Sequence, residues 1–184
     1  MAVVFIGVGS NINREQSIHL GVIKLSQQFG HLRRSAIYRS QAVGFNGPDF
    51  YNFVVQFETD LELAELAPVL RQIEFDCGRP LHAKKCSSRT LDIDILLYDD
   101  LVCEQPCELP RAEIVFNAYV LRPLSELAGE LIHPVTQQPL ALMWQSMKQN
   151  AIPLIRIDDA FLNDSSLVYD DYARNYLVSH SGAY

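Results

Sequence analysis

No uncharged apolar stretch of this sequence approaches the ~20 residues that cross a bilayer as a helix, so a membrane protein is not expected. The cysteines are few. They stand at 77, 86, 103 and 107, form no Cys-x-x-Cys pair, and have no histidine at zinc-finger spacing. That argues against a structural zinc. The N-terminus, Met-Ala-Val-Val-Phe-Ile-Gly, lacks the basic region and cleavage site of a secretory signal, so reduced thiols and a cytoplasmic location are expected. Positive charge is short: 15 Lys and Arg against 22 Asp and Glu give a net charge of −7. Nucleic acid and anionic membrane are therefore not default partners. No G-x-x-x-x-G-K-[ST] loop occurs, which excludes a P-loop enzyme. Gly7-Val8-Gly9 begins like a dinucleotide fingerprint, but Ile12 stands where its third glycine belongs. Serine-hydrolase and zinc-protease signatures, internal repeats and low-complexity tracts are absent as well.

What remains is an ordinary globular chain of 184 residues, 48% hydrophobic and 20% charged. It is long enough for one domain with a sizeable core. Ala2 to Val8 reads as a buried strand ended by Gly9-Ser10-Asn11. Ile18, Val22, Leu25 and Phe29 recur at helical spacing over residues 14 to 29, with Gly30 as the stop. His31 to Ser40 and Phe50 to Glu58 read as strands around a Gly/Pro loop at 41 to 49. A helix is predicted from about Leu61 to Cys77, capped by Thr59 or Asp60, with Pro68 inside it. Gly78 to Ser88 lacks apolar period and reads as a mobile loop. Thr90 to Tyr98 is a strand; 117 to 128, with Pro123, and 140 to 147 are short helices. Strands and helices mix without a βαβα rhythm, so an α+β sandwich is favoured. Residues 1–150 read as the catalytic unit and 151–184 as a C-terminal appendage of weak periodicity.

The chemistry concentrates in Arg89-Thr90-Leu91-Asp92-Ile93-Asp94-Ile95. Alternate strand residues share a face, so Asp92 and Asp94 project together about 7 Å apart. Two carboxylates side by side repel each other. A bound Mg²⁺, which takes carboxylate and phosphate oxygens, relieves that repulsion. Two solvent-facing aspartates on an edge strand are the plainer alternative. Just before this strand, five of the fifteen basic residues cluster: Arg71, Arg79, Lys84, Lys85 and Arg89. Carboxylate-held metal with an Arg/Lys clamp is the apparatus of phosphoryl transfer. Tyr51, next to Asn52 on a strand, is expected in the core.

Several of these segments, in this order, resemble the 6-hydroxymethyl-7,8-dihydropterin pyrophosphokinase family over about residues 3 to 128. They are Gly9-Ser10-Asn11, Tyr38-Arg39-Ser40, Pro48-Asp49-Phe50-Tyr51-Asn52, Glu74, Gly78-Arg79, Arg89-Thr90-Leu91-Asp92-Ile93-Asp94, Pro110 and Leu121-x-Pro123-Leu124. The Arg89–Asp94 block is very nearly the family signature R-T-L-D-[LI]-D. The resemblance implies a ferredoxin-like three-layer α+β sandwich with a mostly antiparallel central sheet and mobile substrate-covering loops. It implies pyrophosphate transfer from ATP to the pterin hydroxymethyl group, with AMP released. Asp92 and Asp94 would bind two Mg²⁺, and Arg79 and Arg89 would act beside them in catalysis. ATP contacts would come from Glu74, Arg79, Lys85, Arg89, Ile95 and Arg111. Pterin contacts would come from Ser40, Val43, Phe50, Asn52 and Tyr119, the two aromatics covering the two ring faces.

The chain also departs from the family pattern. Arg111 stands where His is common, Asn117 where Arg is usual, Cys86 where some members carry a bulky loop residue, and Ser40-Gln41-Ala42 where Thr-Pro-Pro is frequent. Arg111 can still meet a phosphate. The two other readings of the same residues are a divergent relative acting on another pterin or alcohol, and a nucleotide- or pterin-binding protein without catalysis.

Overall fold

A computed structural model describes residues 1–80 and 87–163. Lys85, with His82, Lys84 and Cys86, lies outside the described residues, as does most of the loop expected at 78 to 88. Six strands and four helices follow in order: β1 (Ala2–Ser10), α1 (Arg14–Phe29), β2 (Arg33–Arg34), β3 (Ile37–Ser40), β4 (Phe50–Thr59), α2 (Leu63–Asp76), β5 (Asp92–Tyr98), α3 (Ala118–Ala128), α4 (Leu140–Met147) and β6 (Ile155–Ile157). The sheet runs β5-β1-β4-β3-β6, with β2 also on β4, and every pairing is antiparallel.

Period-two alternation on the central strands builds two cores. Val4, Ile6 and Val8 of β1, with Phe53, Val55 and Phe57 of β4, pack under α1 and α2, where Ile18, Leu25, Leu66 and Leu70 meet them. Phe5, Val54, Leu96 and Leu97 face the other way, against Leu121 and Leu124 of α3 and Leu140 and Met143 of α4. The result is helix, sheet, helix: the three-layer, ferredoxin-like α+β arrangement the sequence implied. Tyr51 is 8% exposed, with the Arg14 guanidinium 4.3 Å over its ring.

Several details refine or correct the sequence reading. The strand expected at 31 to 40 is broken into β2 and β3. Arg34 pairs with Val55 but Tyr38 with Asn52, so one extra residue bulges out. At the break the Ser35 hydroxyl accepts the Val54 N–H at 3.0 Å in place of a backbone carbonyl. Helix α2 starts at Leu63 rather than Leu61: Glu62 and Glu65 form a capping box, while Thr59 accepts the Leu61 N–H before the helix. Both α2 and α3 run through their prolines, because buried Leu66, Leu70 and Ile73 in one and Leu121 and Leu124 in the other hold the turns. In β5 the alternation slips near Leu96, where the β1 register shifts, so Leu96 and Leu97 both serve the α3/α4 core. Beyond residue 150, β6 pairs with β3, and Phe161 and Leu162 pack on the α1/α2 core.

Candidate active site

Register places the site before any side chain is considered. Gly9 pairs with Asn52 on one side and Asp92 on the other; Gly7 pairs with Val54 and Asp94. Two rows therefore cross three strands on the α3/α4 face, with glycine in the middle of each. A Cβ on Gly9 would lie 2.9 Å from Asn52 Oδ1 and 3.6 Å from Phe50 Cδ1. The glycines leave a floor, and the cleft above it is walled by Ser40, Val43, Phe50 and Asn52 at one end and Asp92, Asp94, Arg89 and Arg111 at the other, with Tyr119 and Glu113 closing over. All five expected pterin contacts line this one cleft.

That end is ordered by hydrogen bonds. Asn52 Nδ2 donates to Ser40 Oγ at 2.9 Å. Asn117, at the N-cap of α3, donates from Nδ2 to the Tyr119 hydroxyl at 2.8 Å. The family's arginine position thus holds a neutral amide that fixes the cleft aromatic. Phe45 meets Phe50 edge to face at 6.2 Å between centroids.

A second cleft lies around the sheet edge, lined by Glu74, Arg79, Ile95, Arg71, Leu70 and Cys107. It shares Asp92, Asp94 and Arg111 with the first. Four of the expected ATP contacts, Glu74, Arg79, Ile95 and Arg111, line it, whereas Arg89 lines the first cleft. Edge strand β5 is the reason one pair of aspartates faces both spaces.

Charge is tightly paired here. Arg79 Nη1 donates to Glu74 Oε1 at 2.6 Å and to Asp92 Oδ1 at 3.0 Å. Arg89 Nε lies 3.7 Å from Asp92 Oδ1, and its guanidinium also meets the Ser87 hydroxyl. Arg111 is tethered by its backbone N–H to the Leu96 carbonyl, with Nη2 3.0 Å from Asp94 and Nε 3.0 Å from Glu113. Glu74 is 3% exposed and accepts the outward N–H of Ile93 at 2.8 Å. It is therefore a buried anchor for Arg79 with little surface for a nucleotide. Burial pushes its carboxyl up to about 7, against the Ile93 N–H and Arg79. Burial and then the like charge of Asp92 push Asp94 up to about 6, against Arg111.

Glu113 and Phe45 were missed by the sequence reading, whereas Arg71 belonged to the basic cluster it singled out. The two missed residues belong to no motif, and only their neighbours Arg111 and Phe50 carried a signal. Among the described residues no group of three or more His, Cys, Asp or Glu side chains is placed to hold a metal. The donor set is instead two hard carboxylates, 38% and 44% exposed, on adjacent same-face positions. That suits Mg²⁺, which keeps waters and substrate phosphates as its other ligands.

Residues 5–129, more than half of the chain, match the family 7,8-dihydro-6-hydroxymethylpterin-pyrophosphokinase (HPPK). The chain is similar to the 2-amino-4-hydroxy-6-hydroxymethyldihydropteridine pyrophosphokinase of Aquifex aeolicus, at 34% identity over 76% of this chain and 89% of that protein. It is similar to the Haemophilus influenzae protein of the same name, at 31% identity over 84% of this chain and 99% of the relative. Among solved structures, wild-type HPPK-DHPS of Plasmodium falciparum superposes with a TM-score of 0.62 at 12% identity, over 82% of this chain and 46% of that one. The likeness there is one of fold, and the present chain spans under half of that structure. With the matched residues including the whole lining of both clefts, and the two relatives covered over most of their length, the chain belongs to the HPPK family.

Proposed function

We propose that this protein transfers the pyrophosphoryl group of ATP to the hydroxymethyl oxygen of 6-hydroxymethyl-7,8-dihydropterin, in folate biosynthesis. The observation that carries the reading is the shared wall. Asp92, Asp94 and Arg111 face a cleft lined by aromatics and amides on one side and a cleft lined by Glu74, Arg79 and Ile95 on the other. Pyrophosphoryl transfer needs such a meeting point. The hydroxymethyl oxygen bonds to the β-phosphorus, the bond from that phosphorus to the α-bridging oxygen breaks, AMP departs with the oxygen, and the hydroxyl proton is released.

In this reading Phe50 and Tyr119 sandwich the pterin while Asn52, Ser40 and Val43 meet its polar edge. Asp92 and Asp94 hold two Mg²⁺, which neutralise phosphate charge when bound. Arg79, Arg89 and Arg111 are held by their carboxylate partners beside the wall where the phosphates would lie, and would supply the positive charge there. Lys85 adds a cation from the loop. Catalysis is confined to residues 1–150, with 151–163 buttressing the far sheet edge. The substrates are small molecules, and the net charge of −7 disfavours nucleic acid or anionic membrane. No helix among the described residues is long and apolar enough to cross a membrane. The proposed setting is the cytoplasm.

The test is incubation with ATP, Mg²⁺ and 6-hydroxymethyl-7,8-dihydropterin, scored for AMP and pterin diphosphate in equal amounts. ADP as the nucleotide product, or pterin-independent ATP consumption, would overturn the reading.

A further inference from the structure

Asn11 follows β1, touches neither cleft, and is 4% exposed. Its side chain nevertheless joins three chain segments. Nδ2 donates to the Pro48 carbonyl at 3.1 Å and to Ser88 Oγ at 3.1 Å, while Oδ1 accepts the Arg89 N–H at 2.7 Å. The Arg89 carbonyl is held from the same place, by the N–H groups of Asn11 and Ile12, each at 3.0 Å. The amide orientation is unambiguous, because an N–H only donates and a carbonyl only accepts.

Pro48 lies two residues before Phe50 of the first cleft, and Arg89 reaches Asp92, which both clefts share. One buried amide therefore ties the chain entering the pterin wall to the chain carrying a cation at the shared wall. Resting on the functional reading above, the geometry points to Asn11 as a positioning residue that couples the two substrates. Ordering of 87–89 by the nucleotide is passed to 48–50 through the amide, and ordering by the pterin is passed back. Linkage makes the effect reciprocal.

Asn11→Asp isolates the coupling. An aspartate still accepts the Arg89 N–H, and the Ser88 hydroxyl can turn to donate to it, but the Pro48 carbonyl has no proton to give, so the link is cut on the pterin side alone. Ser88→Ala is the milder second variant. The measurement is calorimetric binding of 6-hydroxymethyl-7,8-dihydropterin with and without saturating Mg²⁺ and α,β-methylene ATP, whose α–β bond does not break. For the parent, the nucleotide analogue should tighten pterin binding at least about fivefold. In Asn11→Asp that factor should fall to within about twofold of one, while affinity for the analogue alone changes less than about threefold. Ser88→Ala should fall between. A folded Asn11→Asp protein that keeps the parent's factor overturns the proposal. So does a parent that binds both ligands without mutual effect. A parent that binds neither ligand overturns the functional reading itself.

Discussion

Glu74 and Asp92 share a single guanidinium nitrogen: Arg79 Nη1 lies 2.6 Å from the first and 3.0 Å from the second. The buried partner bears the stress of this arrangement, and its carboxyl is raised to about 7. An acid whose native value is raised stabilises the fold below its unfolded value, and loses that contribution as pH rises through the native one. From about pH 4.5 to 7 the ligand-free protein should thus lose stability, on the order of 2–3 kcal/mol from Glu74. In Glu74→Gln that contribution is gone. Urea unfolding across this window should show the variant gaining on the parent as pH rises. Parallel profiles would count against a raised Glu74.

If Asp94 holds Mg²⁺ as proposed, metal binding is pH-sensitive. With its carboxyl raised to about 6, protons compete for the same oxygens below that value. The Mg²⁺ concentration needed to support binding of α,β-methylene ATP should rise as pH falls from 7 to 5, steepest below about 6. Asp94→Asn should weaken Mg²⁺ support at every pH and flatten the dependence.

Asp92→Ala and Asp94→Ala should each reduce turnover at least about a hundredfold while changing thermal stability little, because both side chains are over a third exposed. Parent-level turnover in both variants would remove them from the metal assignment.

Arg111→Ala removes a charge-assisted contact to phosphate and should cost roughly 10- to 150-fold in kcat/KM for ATP. Asn117 acts at the other substrate. Asn117→Ala frees the Tyr119 hydroxyl it now holds at 2.8 Å, and should raise the pterin KM a few-fold with little effect on ATP. The same hydrogen bond means that Asn117→Arg, although it restores the residue usual in the family, sacrifices the Tyr119 anchor. Steady-state kinetics with each substrate varied in turn separates the two positions.

Gly9→Ala should act on the pterin alone. Its Cβ would stand 2.9 Å from Asn52 Oδ1 on the cleft floor, so pterin affinity should fall while binding of the ATP analogue in the second cleft persists. Equal loss of both would relocate the floor.

Much of this was legible in the chain before folding. The Asp92/Asp94 alternation fixed a shared face because alternate strand residues project to one side, and the expected pterin set converged because β4 presents Phe50 and Asn52 to one side, beside Ser40 at the end of β3 and Tyr119 on α3. Glu113 was not legible: it lies in a one-turn 3-10 segment at Ala112–Val115 whose position depends on the Arg111–Leu96 backbone bond. The β2/β3 break was hidden for a similar reason. Ser35 reads as an ordinary strand residue until Val54, nineteen residues further on, arrives to claim its hydroxyl. The role expected of Glu74 as a nucleotide contact rested on resemblance, whereas its burial follows from packing of α2 that no local pattern reports.

Asp92 and Asp94 hang from β5, the outermost strand, whose rim would otherwise invite pairing with a strand of another molecule. The Ile93–Glu74 hydrogen bond occupies that rim near its start, and the opposite rim, β6, is only three residues long. The same carboxylate that anchors Arg79 therefore guards solubility. Variants of Glu74 made to study the chemistry should be watched for a second phenotype, concentration-dependent aggregation, arising from an unsealed sheet rather than from the active site.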